Sequence, residues 1–202
     1  TVVFTGVMNY APNEDGAVFL LDRILPHIRR EISNVQVFIV GREPSPALAK
    51  RARRNPDVTV TGSVDDVRPY LESAAIFAAP LRYGSGIQNK VLEAMAMEVP
   101  VVTTSIVADG LRVEEEGEPP ICVADGEKEL ATCIVRLLMN EEERRRLAAA
   151  GRRFVEKHFD WGRSAAILEE MCFEAVAEVS DSQREDCQRR FAMVKHARLP
   201  KG

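Results

Sequence analysis

Six short apolar runs, each followed by helical patterning, organise this 202-residue chain as far as Ala124 and leave little choice of fold. They are VVFTG (Val2–Gly6), VQVFIVG (Val35–Gly41), VTVTG (Val58–Gly62), AIFAAP (Ala75–Pro80), VPVVTT (Val99–Thr104) and ICVA (Ile121–Ala124). Strands this largely apolar have little polar face to offer water. They must be covered on both sides, as in a parallel sheet between helical layers. The intervening segments predict helices over Glu14–Arg30 after Asn13 as N-cap, over Pro46–Arg53 after Ser45, over Asp65–Ser73, and around Glu93. After Ala124 the pattern is wholly helical: Glu127–Met139, Asn140–His158 with Glu143 at the capping-box position, and Trp161–Val179. The expected fold is an α/β, doubly wound, Rossmann-like sheet of six mostly parallel strands ordered 3-2-1-4-5-6, with C-terminal helices. Residues 1–179 form the expected domain, and 180–202 a polar tail.

Composition narrows the partners. The formal charge of −4 gives no basic excess for nucleic acid, and no apolar run is long enough to span a bilayer. Cys122, Cys133, Cys172 and Cys187 show no C-x-x-C spacing, and His27, His158 and His196 are far apart. No zinc site is indicated, and the cysteines read as incidental thiols of a reducing, cytoplasmic setting. The chain opens directly on a strand, without methionine or signal peptide, and reads as a piece of a longer protein.

In a doubly wound sheet, ligands bind beyond the carboxyl ends of strands one and four. The loops there are GVMNYAPN (Gly6–Asn13) and PLRYGSGIQN (Pro80–Asn89). The first has no glycine between Gly6 and Gly16, so a dinucleotide G-x-G-x-x-G is absent, and no G-K-[ST] occurs anywhere. In the second, Gly84 and Gly86 permit close backbone approach, and the following helix opens on Lys90. A lysine in a first helical turn opposes the macrodipole, which favours an anion there. Arg82 could add a second positive charge, and Glu93 stands one turn from Lys90. Together they could grip a nucleoside diphosphate, Lys90 and Arg82 on the phosphates and Glu93 on the ribose hydroxyls. Equally, Lys90 and Glu93 could simply pair on a solvated face. Asn9, Tyr10 and Asn13 suit either a pocket wall or a helix cap. Asp65 and Asp66 read as helix N-terminal acids, Trp161 as an anchor for the last helix, and the arginines at 144–146 and 152–153 as solvated faces able to approach anionic lipid.

The blocks APLRYGSGIQNKVLEAMAMEVPVVTT, FTGVMNYAPNEDGAVFLLDRILP, VQVFIVGREPSP and VTVTGSVDDVRPYLESAAIFAAPLR, with FDW near Phe159, resemble the group 1 (family four) glycosyltransferases. These are retaining enzymes of the GT-B fold, and the match is most similar to sugar transferases of exosortase-associated exopolysaccharide systems. The resemblance implies that this chain is the C-terminal, donor-binding half, inactive alone, and that an acceptor-binding half precedes it. The substrate is then a nucleoside diphosphate sugar, with no metal or other cofactor. The acceptor is lipid-linked or a saccharide, and the full-length protein could lie peripherally at the inner face of the plasma membrane.

On that resemblance Lys90 and Arg82 carry the catalytic charge. Gly6, Asn9, Asn13, Gly41, Arg42, Val64, Gly84, Ser85, Gly86, Ile87 and Glu93 line the donor site, and the loop Thr61–Val67 brackets the base. Two departures stand out. The first acid of the family's E-x(7)-E motif falls on Ser85, and the loop after strand one lacks the arginine and lysine that many relatives use on the diphosphate. Two alternatives therefore stay open: a nucleotide-sugar epimerase of similar fold, and a non-catalytic nucleotide-sugar-binding subunit.

Overall fold

All four residues of β1 (Val2–Thr5) are buried, as are all four of β4 (Ile76–Ala79), and these two strands pair in parallel at the centre of the sheet. Their burial on both faces follows from their apolar sequence, in which Thr5 is the one polar residue and is itself buried. The computed structural model describes residues 1–84, 86–113 and 117–178. Outward from the centre lie β2 (Val37–Val40), β3 (Val58–Val60), β5 (Val101–Thr103) and β6 (Cys122–Val123), giving the order β3-β2-β1-β4-β5-β6 with every pairing parallel. The register sets Val2 opposite Val37 and Ile76, and Phe77 opposite Val101. The order reverses between β1 and β4, so a crevice opens at their carboxyl ends.

The first helical segment differs from its sequence reading at both ends and in the middle. It runs as α1 (Ala11–Phe19), a π-helical stretch Leu20–Ile24, and α2 (Leu25–Glu31). Pro26 cannot donate to the carbonyl four residues back, and the widened turn before it absorbs that lost bond. At the front, Pro12 occupies the first turn and Tyr10 is the N-cap, so Asn13 lies inside the helix and is buried. Asn13 is therefore not the cap. By contrast α3 (Pro46–Arg53) begins where Ser45 predicts, the Ser45 hydroxyl accepting from Leu48 N at 3.1 Å.

The remaining elements are α4 (Arg68–Glu72), α5 (Asn89–Ala96), α6 (Ser105–Asp109), α7 (Glu127–Met139) and α8 (Glu141–His158). Asp66 accepts from Arg68 N at 2.9 Å, as an acid before a helix start should. Asn140 caps α8 through Glu143 N at 3.0 Å, but the Glu143 side chain turns to Arg136 instead of closing the box. Right-handed crossovers put α1–α3 on one face of the sheet and α4–α6 on the other. Helix α7 packs beside α2, and α8 against α5. Residues 1–158 form one compact unit. A second begins at Phe159, and its described part is α9 (Trp161–Glu178). Trp161 opens this helix and is 88% exposed. The predicted tail, 180–202, lies outside the described residues.

Candidate functional site

A cleft of about 480 Å³ lies at the switch point, walled by the ends of three strands and the starts of two helices. Thr5, Gly6 and Val7 leave β1, Val40, Gly41 and Arg42 leave β2, and Ser63, Val64 and Val67 follow β3. Asn13 of α1 and Asn89, Lys90 and Glu93 of α5 complete it. The first two loops are drawn together by backbone hydrogen bonds, Gly6 N to Val40 O at 3.0 Å and Met8 N to Arg42 O at 2.9 Å. They approach so closely that a Cβ on Gly41, whose φ is +143°, would lie 1.8 Å from Gly6 O. Only glycine fits there.

Lys90 is half-buried, and its ammonium donates to Asn13 Oδ1 at 2.8 Å and to Gln88 Oε1 at 3.1 Å. Asn13 is itself fixed, since its Nδ2 donates to Val7 O at 3.0 Å. A Cβ on Gly6 would strike that amide at 2.7 Å, so the glycine leaves room for the residue that aims the lysine. The first turn of α1 thus orients the cation presented by the helix after β4. Among the described residues Lys90 has no direct ion pair with Glu93, which removes the simple surface pair as an account of the two. Burial pushes the Lys90 ammonium below its ordinary range, with partial support from Glu93. Glu93 is exposed at the rim, yet desolvation by its surroundings raises its carboxyl above the usual range, with Lys90 opposing.

The other named residues divide. Gly6, Asn13, Gly41, Arg42, Val64, Lys90 and Glu93 share the cleft. Arg82 stands outside that lining: its guanidinium grips Asp15 through two contacts of 2.5 and 2.9 Å and stacks over Phe19 at 4.8 Å. Asn9 also lies outside the lining and donates to Glu43. Gly84, Gly86 and the exposed Ile87 do not line the cleft, though Gly86 O is pressed against Gly110. Ser85 lies outside the described residues. Sequence reasoning missed Thr5, Val7, Val40 and Asn89, of which only Asn89, beside Lys90 in a first helical turn, carried a readable signal. A second hollow of about 600 Å³ lies between α2 and α7, lined by His27, Arg30 and Lys128 among others, and shares no residue with the cleft. Among the described residues no group of three or more His, Cys, Asp or Glu side chains is gathered as a metal site, and no helix is long and apolar enough to cross a membrane.

An open parallel sheet with a cleft at its switch point, lined by Arg42, Lys90 and Glu93, defines a Rossmann-like domain. The chain belongs to the family described as "Glycosyl transferases group 1", whose sequence model matches residues 1–140. It is similar to a phosphatidyl-myo-inositol mannosyltransferase of Mycobacterium leprae, 34% identical over 165 residues, covering 80% of this chain and 43% of that protein. It is also similar to the capsular polysaccharide biosynthesis glycosyltransferase CapM of Staphylococcus aureus, 31% identical over 119 residues, 58% of this chain and 30% of that one. Among solved structures, Anabaena HepE in complex with UDP shares the fold, with a TM-score of 0.66 at 14% identity over 88% of this chain and 49% of that one. The chain spans less than half the length of the curated relatives it matches.

Proposed function

We propose that this chain is the donor-binding half of a retaining glycosyltransferase, which moves a sugar from a nucleoside diphosphate to an acceptor hydroxyl in bacterial polysaccharide assembly. The observation that carries the reading is the half-buried Lys90 ammonium, held in the cleft by neutral partners one helical turn from the Glu93 carboxylate. A nucleoside diphosphate offers the complementary pair. Its phosphates meet Lys90 and the N–H groups of the first turn of α5, and its ribose diol donates to Glu93. The base lies along the loop containing Ser63, Val64 and Val67.

In the transfer, the bond between the anomeric carbon and the diphosphate oxygen breaks and charge grows on the leaving group. Lys90 stabilises that charge where it develops, without a metal. The acceptor oxygen bonds to the same face of the sugar, and its proton leaves toward the departing phosphate side. The acceptor, lipid-linked or a saccharide, is held by a preceding half of the longer protein, which rests peripherally at the inner face of the plasma membrane. The names of the mannosyltransferase and capsular relatives support an acceptor of this class. The finer link to exosortase-associated exopolysaccharide rests on the blocks quoted from the sequence.

Calorimetry of the chain against UDP-, GDP-, ADP- and dTDP-sugars tests the reading, and one diphosphate family is expected to bind. Glu93→Ala should cost about 1.5–3 kcal/mol of that affinity, the scale of a hydrogen bond to a charged group. Unchanged affinity in a folded Glu93→Ala chain would reject the ribose contact. Donor turnover by the full-length protein separates the transferase from a non-catalytic binding subunit, and product identity separates it from an epimerase.

A further inference from the structure

Beside the sheet, α2 and α7 pack against each other, and the hollow of about 600 Å³ between them holds a second set of cations. His27 and Arg30 line it from α2, and Lys128 and Arg136 from α7, over a floor that includes the buried Ala131. Glu31 is the one acid in that lining. This local excess of positive groups runs against the chain as a whole, whose formal charge is −4. A hollow of this size falls in the range of small-molecule sites and exceeds what one small ion fills.

Ion pairing separates the four basic residues. Glu127, the acid beside the hollow, is taken by Arg23 through contacts of 2.7 and 3.3 Å and lies 3.6 Å from His27 Nε2. Arg136 faces Glu143 at 3.4 Å. Among the described residues no carboxylate forms an ion pair with Arg30 or Lys128. Arg30 instead meets the His27 ring, Nη1 to Nδ1 at 3.4 Å. Because a guanidinium can only donate, it assigns Nδ1 as the acceptor and leaves the imidazole proton on Nε2, toward Glu127. Most of the Arg30 N–H groups and the Lys128 ammonium therefore remain for a ligand.

Helix position accounts for some of these cations and not for others. Arg30 and Arg136 stand in last turns, where the macrodipole favours them. Lys128 stands in the first turn of α7, where the dipole opposes it. We infer that the hollow between α2 and α7 is a binding site for a pyrophosphate group, separate from the donor cleft, with Arg30 and Lys128 as its phosphate ligands. The class follows from charge and layout. Two unmatched cations lie on two different helices, one a planar fork and the other a point charge, and each suits a phosphate. Linked phosphates bring negative charge at both ends, whereas a carboxylate offers a single centre. Glu31 repels the same anion and limits its affinity. The group could be free in solution or carried on a lipid, since both present the same phosphates. The site does not depend on the reading of the cleft, because the two share no residue.

The test titrates the full chain carrying Lys90→Ala, which weakens phosphate binding in the cleft, with inorganic pyrophosphate in low-salt buffer. Calorimetry should show saturable binding, with amide shifts in NMR spectra concentrated on α2 and α7. Arg30→Gln and Lys128→Gln should each weaken it about tenfold, as for a charge-assisted hydrogen bond at an exposed position. Glu31→Gln should tighten it, a gain that loss of fold could not produce. Phosphatidylcholine vesicles with and without a polyprenyl pyrophosphate distinguish the sources. Co-sedimentation only with the pyrophosphate vesicles supports a lipid-borne group, and binding of the free anion without co-sedimentation supports a soluble one. Three results overturn the proposal: no saturable binding of either form, sulfate binding as tightly as pyrophosphate at equal ionic strength, or binding unchanged when Arg30→Gln and Lys128→Gln are combined.

Discussion

Arg82 and Lys90 sit at the two ends of one glycine-bearing loop, eight residues apart, and the fold treats their charges in opposite ways. Arg82 is exposed and saturated by the Asp15 carboxylate, with a ring beneath it. Lys90 is half-buried and hydrogen-bonded to two amides, so its direct partners leave its charge uncancelled. A cation already matched to a carboxylate has little left for a ligand. One that is oriented by neutral dipoles keeps its field for an incoming anion. On the proposed function, the contrast accounts for a lysine at the start of α5, where the macrodipole disfavours it.

The widest separation between the two is expected on truncation. Lys90→Ala should weaken nucleoside diphosphate binding by about 3 kcal/mol, roughly a hundredfold, while nucleosides lose almost nothing. Equal loss for both ligand classes in calorimetry would make Lys90 a structural residue. A smaller change makes Lys90 resemble Arg82: Asn13→Asp sets a carboxylate against the ammonium and should remove about 1–2 kcal/mol of diphosphate affinity. An unchanged or tighter diphosphate in that variant would break the distinction between neutral and charged partners.

Titration sharpens the comparison further. The Lys90 ammonium is held below the ordinary lysine range of about 10.5, so diphosphate affinity should fall as pH rises, beginning before that value. On the acid side affinity should fall as Glu93 takes up a proton, beginning above the ordinary 4.5. Arg82, raised by its bond to Asp15, contributes no such limb. A flat affinity from acid to alkaline pH would remove both groups from the contact. The smallest effect belongs to Arg82→Ala, which should leave diphosphate affinity unchanged and cost less than about 1 kcal/mol of stability, as for other exposed ion pairs.

These differences also mark where the sequence stops being readable. The sheet and its order were legible because each strand's apolarity is local, and Ser45 and Asn140 announce their helices within three residues. Lys90 was legible as an anomaly against the helix dipole. Its holder was not, because PNEDG reads equally as a cap, and only the fold shows Pro12 inside the first turn with Asn13 turned toward α5. Arg82 looked as available as Lys90 because Asp15 lies 67 residues away in the chain.

The tether between Asn13 and Lys90 has a further consequence, in entropy. A free lysine side chain carries about 2 kcal/mol of rotamer freedom that a ligand must normally quench. Here the two amides and the Phe4 ring, 6.0 Å from the ammonium, restrict that freedom through contacts within the protein itself. An arriving phosphate therefore orders little of the protein that receives it, and the side chain's share of the association entropy should be small. Arginine could not inherit this role, since its wider, planar fork would need different acceptors from the ones that Asn13 and Gln88 present to a compact ammonium.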